Sequence, residues 1–88
     1  MSSALTIQIW DRASVGGSPL LVMLALARDA APNGYVGNLD VARLARACRV
    51  TEDRTYKILA ELIEKGLLSK TRDHNGSTAY RIVLDALR

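Results

Sequence analysis

The run "TEDRTYK", Thr51 to Lys57, crowds three hydroxyls, two carboxylates and two cations into seven residues. Arg54 could grip guanine O6 and N7 with two parallel hydrogen bonds, and Glu52 or Asp53 could accept from cytosine N4. Thr51, Tyr56 and Lys57 carry groups that commonly reach phosphates. The same residues also make an ordinary solvated helix end, with Thr51 as cap and two acids facing the macrodipole. What surrounds the run must decide between the two.

Other chemistries find little support. Asp11, Asp29, Asp73 and Glu64 are scattered, and no paired carboxylates, phosphate-cradling glycine loop or nucleophile–base pair stands out. His74 is the single histidine, distant from Cys48, which falls on an apolar helical stripe. Cys48 reads as a small buried hydrophobe, His74 as a surface residue. The chain is expected to be no enzyme and to need neither metal nor cofactor.

The elements that must position Thr51–Lys57 follow from periodicity. Thr55, Ile58, Leu59, Leu62 and Ile63 fall at i, i+3, i+4, i+7 and i+8, and Gly66 stops the run, so a helix is expected over 51–65. With Thr55 facing the core, Asp53, Arg54, Lys57, Ala60, Glu61 and Glu64 lie on the far side, and Tyr56 on the flank. Glu61 and Glu64 would repel phosphates, so only the front of this helix suits a polyanion. Before it, "LDVARLARAC" places Val41, Leu44, Ala45 and Cys48 on one face, giving a helix over 38–48 capped by Asn38. Arg43 and Arg46 point away from that face. They are either a solvated surface or backbone contacts for DNA. Only a tight turn separates the two helices.

Ser18-Pro19 reads as the start of an earlier helix over 18–31. Leu20, Leu21, Met23, Leu24 and Leu26 cover most of its circumference, so it should be buried on more than one side. Leu5, Ile7 and Ile9 alternate with polar residues and Trp10, a weak strand or extended-arm signal over 1–17. "YVG" is a short extended piece. "LLSKTR" and "TAYRIVL", joined around Asn75-Gly76, read as a hairpin over 67–83. "DALR" is a frayed or short helical end. The expected fold is one mainly helical α+β domain, with the order α-β-α-α-β-β behind an N-terminal arm.

The 88 residues are 49% hydrophobic but only 5% aromatic, with no Phe. The core must therefore be aliphatic, and a core this small often gains from dimerisation. Net charge is +3, and the sequence pI is about 9.4. Residues 43–81 carry nine basic and five acidic side chains, so the basic excess lies in the second half. One cysteine permits no internal disulfide, no run is long enough to span a membrane, and the first residues show no signal-peptide pattern. A cytoplasmic, nucleoid-associated protein is expected.

"LARACRVTEDRTYKILAELIEKGLLSK" resembles the winged helix-turn-helix domains of bacterial regulators. Leu44-Ala45, Thr51, Leu62, Gly66-Leu67-Leu68 and Lys70 stand where those domains carry a Leu-Ala helix, a Ser/Thr cap, the LxxxGLL run and the wing. The likeness spans roughly residues 20 to 83. "IWDRASVGGSPLLVMLALARDA" is also similar to winged-helix domains of phage and plasmid replication proteins. The chain departs from the pattern at Arg49, where the turn often has Gly. Arg49 carries strain if it takes positive φ. The resemblance implies that the helix front, with Thr51, Glu52, Asp53, Arg54, Tyr56 and Lys57, enters the major groove. It further implies that Lys70, Arg72, His74, Asn75 and Arg81 of the wing follow the flanking backbone or minor groove, with Arg72 foremost.

The expected function is sequence-specific binding of double-stranded DNA, as a small transcriptional repressor or autoregulator of a bacterial, phage or plasmid operon acting by site occupancy. No small-molecule ligand is evident. A factor for replication, partition or excision shares the same chemistry. A protein–protein interaction module is a separate alternative, kept open by Glu52, Asp53 and Glu61. Leu5, Ile7, Ile9 and Trp10 either pack on the chain's own helices or form a homodimer interface, which would suit a palindromic site.

Overall fold

The computed structural model describes residues 3–37 and 39–87. The elements are α1 (Ser3–Arg12), α2 (Gly17–Asp29), β1 (Tyr35–Val36), α3 (Val41–Cys48), α4 (Glu52–Glu64), β2 (Leu68–Arg72) and β3 (Thr78–Ile82), closed by a 3-10 turn over Leu84–Leu87. The chain is a mainly helical α+β winged helix, with a three-stranded antiparallel sheet in the order β1-β3-β2.

The first correction concerns the arm, which is the helix α1. Leu5 and Ile9 satisfy two periods at once: they alternate in a strand, and they stand at i, i+4 in a helix. Packing decides for the helix, because both are buried against α2 and the C-terminal turn. Ile7, the third member of the alternation, is left 59% exposed on the opposite side.

The start of α2 is a second correction. The helix begins at Gly17 behind an extended Gly16, with no side-chain cap. Ser18 and Pro19 therefore sit in its first turn rather than at its boundary. Pro19 is tolerated there because the first helical N–H groups have no intrahelical partner to lose. Asn38 lies outside the described residues. The cap of α3 is Asp40, whose Oδ1 accepts from the Arg43 N–H at 3.1 Å.

Helix α2 is the centre of the core. Val22, Met23, Leu26 and Ala27 are buried, and α1, α3, α4 and β1 all pack on it. Each fully buried Leu or Met contributes about 1.5–3 kcal/mol relative to exposure. Cys48 closes the α2–α3 contact, with its thiol 3.8 Å from the Leu21 carbonyl oxygen. Burial raises the pKa of that thiol, and Arg28 opposes the shift.

The turn between α3 and α4 is a left-handed C-terminal cap. The Arg49 N–H donates to the Arg46 carbonyl at 3.3 Å, and the Val50 N–H donates to Ala45 at 3.1 Å. The Val50 bond requires Arg49 at φ 60, ψ 39. For a residue with a Cβ this conformation costs roughly 1–2 kcal/mol. The Val50 hydrogen bond, worth about 0.5–1.5 kcal/mol, offsets part of that cost.

Helix α4 ends in the same kind of cap, here with Gly66 at φ 75. The Gly66 N–H donates to Ile63, and the Leu67 N–H donates to Leu62, both at 3.0 Å. Leu67 also accepts from the Val83 N–H at 3.0 Å, so one residue joins α4, β2 and the end of β3.

In the sheet, Tyr35 pairs with Arg81 and Val36 with Tyr80; across the hairpin, Leu68 pairs with Ile82 and Lys70 with Tyr80. Gly34 sets how closely β1 approaches β3. It has φ 87, and an added Cβ would overlap the Ile82 carbonyl oxygen. Gly34→Ala is expected to destabilise the fold by at least about 2 kcal/mol, combining left-handed strain with overpacking against backbone. Urea unfolding monitored by circular dichroism would measure it; a loss under half that size would show that β1 shifts freely.

Candidate nucleic-acid interface

The front of α4 is built by its cap. Thr51 Oγ1 accepts from the Arg54 N–H at 3.1 Å, a bond worth about 1 kcal/mol at such positions. Thr55 is fully buried, and its hydroxyl donates to the Thr51 carbonyl at 2.8 Å. That bond satisfies the one buried polar side chain of α4. Ile58, Leu59 and Leu62 then face inward. Thr51, Glu52, Asp53, Arg54, Tyr56 and Lys57 are consequently all exposed, on one end of one helix.

Tyr56 is 55% exposed and stands near Tyr80 of β3. Burial pushes the Tyr80 phenol up, and Tyr56 adds to the shift.

The hairpin divides the wing residues between two faces. Directly paired residues share a sheet face, so Lys70 lies with Tyr80 and Val36, and Arg72 falls on that same side two residues further out. This is the face that packs towards the helices. Arg81 lies on the opposite face with Tyr35, its guanidinium carbon 5.8 Å from the ring centroid. The sheet therefore does not bring Arg81 together with Lys70 and Arg72.

His74 and Asn75 are exposed at the hairpin tip. The tip is rigidified from within: Asp73 Oδ1 accepts from the Asn75 and Ser77 N–H groups, each at 2.9 Å. Gly76 has φ 83 and donates to the Asp73 carbonyl at 3.0 Å. The Asn-Gly pair thus belongs to a turn with a glycine bulge, not a two-residue turn. Arg72 Nη1 donates to the Gly76 carbonyl at 3.0 Å, so Arg72 braces the tip while most of its five N–H donors stay free.

Arg43 and Arg46 are exposed on the outer side of α3. Residues 43–57 hold five cations and two carboxylates, a net +3 that equals the formal charge of the entire chain. Among the described residues, none of those five cations is within ion-pair distance of a carboxylate. Arg49 belongs to this group. Its residue type alone did not mark it, and the only sequence signal was the missing turn glycine.

Leu5 and Ile9 require correction as interface residues, since the chain's own core has absorbed them. Ile7 and Trp10 remain outside, Trp10 with 62% of its surface exposed. A shallow cavity of about 220 Å³ lies between α2, the β1–α3 connection and α3, floored by Leu26, Val36, Leu39 and Leu44. Of its rim charges, Arg28 is 4.0 Å from Asp29 and Asp40 caps α3, while Arg43 makes no ion pair among the described residues. Among the described residues, no helix is long and apolar enough to cross a membrane.

No curated protein matches the chain. Among solved structures, it is similar to the PcaV transcriptional regulator from Streptomyces coelicolor in complex with its natural ligand, with a TM-score of 0.59 and 19% sequence identity. The match covers 91% of this chain and 57% of the PcaV chain, so this chain corresponds to little more than half of that regulator. The sequence itself matches the family described as the helix-turn-helix domain over residues 6–68, from within α1 to the first residue of β2. That match covers well over half of the sequence, and with the β2–β3 hairpin following α4 this chain belongs to the helix-turn-helix family in its winged form.

Proposed function

We propose that this protein binds double-stranded DNA with the front of α4 in the major groove and the β2–β3 hairpin on the flanking backbone. The observation that carries this reading is the exposed end of α4, where Arg54, Tyr56 and Lys57 project from a rigidly capped helix. Net positive charge is concentrated around that end. Arg54 is the base-reading residue, paired with guanine. Lys57 and Tyr56 contact phosphates beside it, while Lys70 and Arg72 extend the contact along the wing, with His74 and Asn75 at its tip. Arg81, on the other sheet face, makes a peripheral contact at most.

The biological role in this reading is that of a small transcriptional repressor or autoregulator acting by occupying its site. Similarity to a transcriptional regulator supports it. A factor for replication, partition or excision would use the same surface on a different site. The protein acts as a homodimer in the cytoplasm. Ile7 and Trp10, one turn apart on the outer side of α1, form the contact to the second copy, with Trp10 as the anchor. Two copies supply the phosphate contacts that a single small module lacks.

Selection of bound duplexes from a random library, at two salt concentrations, tests the function directly. A motif with two half-sites about one helical turn apart is expected. Absence of binding even at low salt would point instead to a protein-interaction module.

Arg54→Ala should cost about 1–3 kcal/mol at the selected site and relax the preference at one base pair. Lys70→Ala should weaken all sequences alike and lower the slope of log affinity against log salt by roughly one. Fluorescence anisotropy on matched and scrambled duplexes separates the two effects. Trp10→Glu should convert the dimer to a monomer in sedimentation velocity with little change in thermal stability, since the side chain is exposed. A wild-type protein that sediments as a monomer would refute the interface.

A further inference from the structure

We infer that Arg49 is a phosphate-binding residue of the DNA interface, held at the groove's rim by the turn between α3 and α4. The inference rests on the DNA-binding reading above. Among the described residues, Arg49 is the single non-glycine with positive φ. Its position could be filled without strain by glycine, as position 66 is at the end of α4. Backbone strain held by an exposed residue marks a place where the side chain is needed for something other than stability.

The side chain is available for that role. Arg49 is exposed, and among the described residues its side chain makes one hydrogen bond, a long 3.5 Å contact from Nη1 to the Arg46 carbonyl. That bond satisfies the C-terminal end of α3 and uses a single donor of five. The favourable field of the helix end acts weakly on a solvated cation and does not match the backbone cost.

Location gives the chemistry. Arg49 lies two residues before the Thr51 cap, so its Cα is within about 7.6 Å of the tip of α4. It stands between Arg46 and Arg54 in the chain, inside the stretch that holds the net charge. A residue preceding the reading helix lies beside the groove rather than in it, and cations there meet phosphate oxygens. The guanidinium can hold a phosphate bidentately while its remaining edge stays on the Arg46 carbonyl.

Three variants separate the side chain from the backbone. Arg49→Gly removes both the charge and the strain, Arg49→Gln removes the charge and keeps the strain, and Arg49→Lys keeps both. Affinity for a fluorescein-labelled duplex of mixed sequence is measured by anisotropy across a salt series, with thermal melts alongside. Arg49→Gly should raise Tm by a few degrees and yet weaken binding about eightfold near 0.1 M salt, the effect of losing one contact with a slope of about −0.9. Arg49→Gln should keep the wild-type Tm and lose the same affinity and the same unit of slope. Arg49→Lys should keep the wild-type salt slope but recover only part of the affinity, since a point charge replaces the bidentate hold. Arg49→Gly and Arg49→Gln binding with wild-type affinity and slope would overturn the inference while leaving the DNA-binding reading intact. A wild-type protein that binds no duplex at low salt would remove both.

Discussion

Everything in this molecule is arranged around the need to cover α2. A helix with Leu20, Leu21, Val22, Met23, Leu24 and Leu26 in succession has no polar side to give to water. Cover comes from α1, α3, α4 and β1, with Leu21 alone among those leucines left exposed. The orientation of α4 is therefore a consequence of core packing. Its apolar stripe is consumed by α2 and the sheet, which leaves Arg54, Tyr56 and Lys57 no direction but outward. The charged surface is what remains once the core has been satisfied.

This explains which parts were legible in the sequence. The stripe Thr55, Ile58, Leu59, Leu62 is unambiguous because it repeats over more than two turns, and its ends carry strong local signals in Thr51 and Gly66. The α3 stripe is equally plain, but its start is not, since Asn38 and Asp40 are both competent caps and only the backbone geometry chooses Asp40. The first helix was illegible for a different reason. Leu5 and Ile9 fit either period, and the run is too short to break the tie. The tertiary contact with α2 supplies the preference that local sequence lacks.

The candidate site was legible at the level of residue type and less so at the level of grouping. Exposure of the α4 front follows from periodicity alone. The division of the wing, with Lys70 and Arg72 on one face and Arg81 on the other, depends on strand register and becomes visible only with the pairing of Tyr35 and Ser69 to Arg81. Arg72 shows a further limit, because a cation at a hairpin's edge looks free in sequence but is partly engaged with the Gly76 carbonyl. Backbone conformation adds the last piece. Two helices end in left-handed caps of the same hydrogen-bonding kind, one with glycine and one with arginine, and the two ends differ in what their side chains can touch.

Leu67 has a mechanical consequence. Its N–H is held by the end of α4, and its carbonyl is held by Val83, with β2 beginning at the next residue. No flexible linker separates α4 from the β2–β3 hairpin. The two behave as the jaws of a caliper with a fixed gap, set by one leucine and one glycine. In the docking mode proposed above, adjustment to a poorly fitting duplex falls on the DNA. The stiffness of base-pair steps that neither jaw touches then enters the choice of site as elastic energy.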